Sequence, residues 1–554
     1  MHTTRVVYLA ALTTTGACWS QPSTLGLPCS SDNECDDGQR CVDERCRDSA
    51  GTDSAGTDSA SNTGTTNATT TGVDASTSDG GTSTSTSTTD DTTGTELECE
   101  SIDCAPTPDW SLAFGDDEVR NYAMGVDGAG NVYVGGVYKG TLSVGGEQLP
   151  GGLARFRMYL LKFAPNGALL WANDFGDDLD YDALVDLAVT KDGLVYFTGS
   201  LTGPLTMCGE QLEGVPDDSD LFVARVNGFG ECDRITRFVK PEMQSGEAIA
   251  YDEASQSLIV GGVYQGEFDL GQDAFPTELT GYLQLNGFYA RFDLVNDEFQ
   301  PGWSHGFGVA GAFDFVQALT PGPEQAAFLS ASFSGEFTLG SDLHSSIGGS
   351  HDAVIARVSA TNGDIAWSRS FLSAEGVTVT NLAYDAEGGL LIAGHYLAEL
   401  ESLGLPSAAD GAADLFVVRM DASTGELLWK KSFNDPSRDD LIRGIAIDPI
   451  NGHALLSTRC FATSSYGGEP LEIEGEDDAC LVRLDLDDGD FLWNARFGGA
   501  KAGQPEFGRQ LALDLSGEAA LLWSGDFFGS ADFGGPALDA SGDHARTFLA
   551  RFFL

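Results

Sequence analysis

Asp177, Asp178, Asp180 and Asp182 fall in the run DDLDYD, with acids at alternate positions like the start of a calcium loop. Hard carboxylate oxygens at that spacing suit calcium, and these four are the candidate metal ligands. The EF-hand pattern itself is not met, because Ala183 stands where that loop needs Gly and Val189 where it needs a bidentate Glu. Ser350, His351 and Asp352 have the composition of a hydrolase triad. Three consecutive residues cannot normally hold the required chain of side-chain hydrogen bonds, so they read as a loop. Neither H-E-x-x-H nor G-x-S-x-G occurs. Asp127, Asp252, Asp385, Asp448 and Asp514 recur beside Gly turns, where a turn hydrogen bond explains them better than a ligand series. No residue qualifies as catalytic, no organic cofactor is called for, and calcium is the one ion the motifs admit.

The chain has 11 cysteines. Ten fall into neighbourhoods that can pair: Cys29, Cys35, Cys41 and Cys46; Cys99 with Cys104; Cys208 with Cys232; Cys460 with Cys480. The eleventh, Cys18, follows Arg5, the apolar run VVYLAAL (6–12) and TTTGA, which together read as an export signal over 1–17. The ending GAC resembles a bacterial lipobox, and that resemblance implies lipidation of Cys18, although Thr15 departs from its usual aliphatic residue. An odd total fits one lipidated Cys plus five disulfides. In 18–48 the four clustered cysteines form a small Cys-rich module; without a C-x-x-C pair, disulfides suit it better than zinc, with the pairing order open.

Residues 49–107 change character abruptly. From Ser49 to Thr95 the chain is almost wholly Ser, Thr, Gly, Ala, Asp and Asn, which cannot bury a core and reads as a disordered linker. Such a coil would hold its ends roughly 35–40 Å apart. The net charge is −55. That excludes nucleic acid and anionic lipid as partners of the whole surface, because phosphate binding needs clustered Lys and Arg. The membrane is reached only through the N-terminal lipid anchor, and the expected location is the outer membrane, the cell surface or the extracellular space.

From 108 to 554 the chain repeats. Units begin at WSLAFG (110), WANDFG (171), RITRF (234), WSHGFG (303), WSRSF (367), WKKSF (429) and WNARFG (493), 61 to 69 residues apart. Each holds a strand ending in a turn (AMGVDGAG, GIAIDPING), a second strand (NVYVGGVY, LLIAGHY), a long variable segment and a third strand (YLLKFAPNG, LFVVRMDASTG). Four short strands per unit describe an all-β, seven-bladed β-propeller of four-stranded antiparallel blades. The first unit opens on a Trp strand with nothing before it, and the last stops at TFLARFFL with no Trp strand after it. Strand exchange between residues 110–114 and the C-terminal strands therefore closes the ring.

This arrangement resembles the bacterial seven-bladed propeller repeat family, with Trp strands similar to the docking repeats of quinoprotein dehydrogenases in APNGALLW, SATNGDIAW, DASTGELLW and LDLDDGDFLW. The quinoprotein resemblance would imply a quinone site with two adjacent Cys and calcium, and no two Cys are adjacent here. A phrase repeated round the ring cannot define one active site; its Gly makes the turn and its Trp fills the space between blades. The leading expectation is a non-enzymatic, monomeric cell-surface or cell-envelope propeller acting as a scaffold or binding a protein or glycan ligand. The alternative is a propeller enzyme, quinone-type or carbohydrate-active. The ligand is expected on the loop face, where the long connections meet acids such as Asp116, Asp117, Glu118, Asp435, Asp439 and Asp440.

Overall fold

The computed structural model describes the strand pair 39–42 and 45–48 and residues 107–554, apart from 153–154, 177–181, 216–217, 271–284, 296–297, 310–311, 349, 408–411, 434–440, 462–463, 469–476, 500–505, 534–536 and 540–543. Seven four-stranded antiparallel sheets are the blades of one propeller. In blade 1 the strands run from the axis outward as Glu118–Val126, Val132–Lys139, Arg157–Phe163 and Leu169–Phe175. Blade 7 takes Phe507–Asp514, Ala520–Phe527 and Arg546–Phe553 from one end of the array and its outer strand, Trp110–Phe114, from the other. Trp110 pairs with Arg551 and Phe114 with Thr547.

Burial explains the strand sequences. Second strands such as Ser257–Tyr264 (SLIVGGVY) are buried at every position, because both of their faces meet a neighbouring blade; they are therefore continuously apolar rather than alternating. An apolar wedge fills each of the seven blade boundaries. At the closing boundary Phe114, Leu522 and Leu549 of blade 7 pack with Val134, Tyr159 and Leu161 of blade 1.

The Trp strands do more than fill space. In five of them the indole Nε1 donates to a carbonyl in the third-to-outer turn of the next blade: Trp110 to Pro165 (2.8 Å), Trp171 to Gly228 (3.2 Å), Trp303 to Ala360 (3.1 Å), Trp367 to Ala422 (3.1 Å) and Trp429 to Leu486 (2.8 Å). In three of these turns a third-strand base shares the same oxygen: Lys162 on Gly228, Arg291 on Ala360 and Arg419 on Leu486. The turn glycine lies under the ring. At Gly425 φ is +67°, and a Cβ would stand 2.8 Å from the Trp367 indole. The repeated Gly-to-Trp spacing is thus one lock between successive blades.

The long second-to-third connections are not plain loops. In blades 1, 2, 4 and 7 they fold into small hairpins, among them Thr141–Val144 with Glu147–Pro150 and Glu336–Leu339 with Asp342–Ser345. Leu142, Val144 and Leu149 of the first are buried in the closing wedge. Those apolar positions give the hairpin a face to bury, which an ordinary loop lacks. Disulfides join Cys208 to Cys232 in blade 2 and Cys460 to Cys480 in blade 6. In the strand pair near the N-terminus Cys41 lies opposite Cys46. Cys18, Cys29, Cys35, Cys99 and Cys104, with the export signal and linker, lie outside the described residues.

Candidate functional site

Every inner strand carries a β-bulge at the same level of the ring. Register skips Tyr122 in blade 1, Val185 in blade 2, Glu247 in blade 3, Gln317 in blade 4, Thr380 in blade 5, Arg443 in blade 6, and Arg509 with Gln510 in blade 7. A bulge adds an unpaired residue and re-aims its side chain. All of these residues line two cavities along the axis, of about 310 Å³ and about 430 Å³, and Tyr122, Gln317, Thr380 and Gln510 line both. The smaller cavity is bordered by residues before the bulges, such as Asn121, Thr378 and Leu441, on the long-connection side. The larger is bordered by residues after them, such as Met124, Val189 and Tyr251.

The axis is electrically polarised. Arg443 and Arg509 line the smaller cavity, while Asp186 and Glu247 line the larger. Arg509 is paired through Nε with Asp526. Arg443 has no ion pair among the described residues, its Nε is buried without a hydrogen-bond partner, and its guanidinium lies 6.0 Å from the centroid of Phe507. Burial, with Arg509 beside it, lowers the Arg443 pKa to about 10, so it stays charged at neutral pH. Desolvation raises Glu247 to about 7 against the opposing hydrogen bond from Ser245. Desolvation also raises Asp186 to about 7, opposed by the N–H groups of Ile249 and Leu187.

The described residues singled out in the sequence line neither axial cavity. Asp182 is buried, and its Oδ1 accepts the N–H of Thr202 at 3.0 Å; Asp177, Asp178 and Asp180 lie outside the described residues, as do Asp435, Asp439 and Asp440. Asp117 accepts the N–H of Thr141 (3.0 Å) and Asp116 the hydroxyl of Ser143, so both hold the first hairpin. The recurrent acids make turn hydrogen bonds: Asp127 accepts from Ala129 and Asn131, Asp252 from Ala254, Asp385 from Glu387 and Gly389, Asp448 from Ile450, and Asp514 from Ser516. Ser350, His351 and Asp352 do not form a relay. Asp352 accepts the N–H groups of Ile347 and Ser373, Ser350 donates to Ala374, and His351 meets the Phe313 ring.

A different histidine does gather hydroxyls. His344 Nδ1 is 2.6 Å from Ser370 Oγ and Nε2 is 2.9 Å from Ser368 Oγ, which donates to Asp342. The carboxylate meets Ser368 rather than the imidazole, and neither axial cavity includes the group. It fastens the blade 4 hairpin to the outer strand. Among the described residues no group of three or more His, Cys, Asp or Glu converges as metal ligands. Of the cysteines in the propeller, all four are in the two disulfides, so the lining does not fit the quinone site that the Trp phrases imply.

The axial residues were missed in the sequence, although a signal exists. Tyr122, Glu247, Thr380, Arg443 and Arg509 each stand five residues before the recurrent turn Asp, at the position where otherwise similar strands disagree.

No family model matches the chain, and no curated protein matches it. Among solved structures, it is similar to quinohemoprotein alcohol dehydrogenase ADHIIG from Pseudomonas putida HK5, with 11% identity, coverage of 80% of this chain and 75% of that one, and a TM-score of 0.39. For quinohemoprotein alcohol dehydrogenase from Comamonas testosteroni the values are 10%, 81%, 76% and 0.39. For Sqt1 from Chaetomium thermophilum they are 11%, 81%, 100% and 0.39. At such identities and scores the likeness carries no argument about chemistry.

Proposed function

We propose that this chain is an exported, non-enzymatic binding propeller, held to the cell envelope by lipid on Cys18 and set off from it by the 49–107 linker. Its ligand is a small polar molecule or the end of a larger protein or glycan, taken up in the axial channel. One observation carries this reading. Seven bulges at one level present Tyr, Val, Glu, Gln, Thr, Arg and an Arg-Gln pair to the axis, while the inner strands and turns around them repeat. Residues that only close a ring can be alike in every blade; a set that differs from blade to blade where it faces a shared cavity suits an asymmetric ligand. Among the described loop-face acids, Asp117 and Asp182 hold backbone N–H groups, Asp116 the Ser143 hydroxyl and Glu118 the Arg120 guanidinium, and this reading favours the axis as the site.

The test is a glycan and peptide array probed with the full mature chain, beside a Gln317→Ala, Thr380→Ala, Gln510→Ala variant. Those residues line both cavities. The expected result is loss of the parent's signals with the melting temperature kept; identical array profiles would overturn the reading. Mass spectrometry of the mature N-terminus tests the anchor, expected as a lipid on Cys18.

A further inference from the structure

We infer that the smaller axial cavity binds the carboxylate of an acidic saccharide unit through Arg443. This rests on the channel being the binding site and adds the class of ligand.

Charge sets the first limit. In a chain of net charge −55, two guanidinium groups line one small cavity. Arg509 is neutralised by Asp526, which also accepts from Thr547. Arg443 faces no carboxylate within ion-pair distance among the described residues, and its buried Nε has no partner. Asp526 also attracts Arg443, from beyond ion-pair distance, so the two guanidinium groups that line the cavity share one carboxylate and keep one net positive charge. A half-buried guanidinium with no ion pair and its Nε sealed from water lacks partners, and a planar carboxylate matches its fork of donors. One net charge balances a monoanion and leaves a phosphate dianion half compensated.

The neutral lining sets the second limit. Around Arg443 stand the amides of Gln317 and Gln510, the hydroxyls of Thr378 and Thr380, and the ring of Tyr122. Amides and hydroxyls both donate and accept, as sugar hydroxyls do, and an aromatic ring offers a face for a pyranose. Asn121, fully buried, also borders this cavity and has its Oδ1 without a partner. A volume of about 310 Å³ lies at the lower end for small-molecule sites, the size of a single sugar unit.

Isothermal titration of the full mature chain with D-glucuronate, its methyl ester, glucose and inorganic phosphate tests the assignment. Glucuronate is expected to bind, and the ester and glucose at least 10-fold more weakly. Arg443→Met should weaken glucuronate 10- to 100-fold, about 1.4 to 2.8 kcal/mol. Arg443→Lys, which keeps the charge and loses the fork, should fall between them and serves if the Met variant does not fold. Equal affinity for ester and acid, phosphate as tight as glucuronate, unchanged binding by the variants, or no heat with any probe each overturns the proposal. If Gln317→Ala and Thr380→Ala abolish capture of another ligand that Arg443→Met leaves intact, the channel reading stands and only the carboxylate assignment falls.

Discussion

Deleting residues 108–115 removes eight of 554 residues and should dismantle the ring. The outer strand of blade 7 makes five register pairs with Arg546–Phe553. Losing those ladder hydrogen bonds costs about 1 kcal/mol for each. Phe114 is fully buried in the closing wedge, and truncating a buried Phe costs about 3–5 kcal/mol. The Trp110 bond to Pro165 and the Arg551–Asp109 pair at 2.9 Å are lost as well. Together these contributions reach about 10 kcal/mol, comparable with the ~5–15 kcal/mol that holds a domain folded. For chains of 150–250 residues 1 kcal/mol moves the melting temperature by about 2–4 °C, and less for longer ones, so a drop on the order of 10–20 °C is expected. Differential scanning calorimetry of deleted and parent chains decides it. Equal melting temperatures would mean that the strand exchange contributes nothing to closure, and the energetic reasoning would be wrong.

Other perturbations probe the locks and the axis. Trp367→Phe keeps an aromatic ring but leaves the Ala422 carbonyl without its donor, and should cost about 1–3 kcal/mol in chemical denaturation; no change would reduce the indole to filler. Gly425→Ala should destabilise more than Gly388→Ala, because both have positive φ but only the former meets an indole; equal melting shifts would refute the packing role. Glu247 titrates at 4.5 ordinarily and at about 7 in the fold, so its contribution to stability falls as pH rises from about 4.5 to 7. Glu247→Gln should therefore raise the melting temperature at pH 8 and leave it nearly unchanged at pH 4; parallel pH profiles would contradict the buried carboxyl.

The propeller is legible in the sequence because its signals are repeated. Trp110, Trp171, Trp303, Trp367 and Trp429 mark outer strands, and Asp127 through Asp514 mark the turns after inner strands. Cys208 with Cys232 and Cys460 with Cys480 pair as their proximity suggests. The axial site was hidden for a physical reason. One extra residue in a strand shifts register without leaving the apolar pattern, so nothing local marks Glu247 in SGEAIAYD or Arg443 in LIRGIAID as facing the axis. His344 was hidden as well: its serines come from an outer strand 24 and 26 residues away, and nothing local in the hairpin marks that contact.

A crystal structure of the full mature chain with the tightest ligand from the array tests the central claim most directly. The ligand is expected on the axis, in contact with Tyr122, Gln317, Thr380 and Gln510, the residues shared by both cavities. A ligand seated on the outer loops or a blade edge, with the axial channel unchanged, would contradict it.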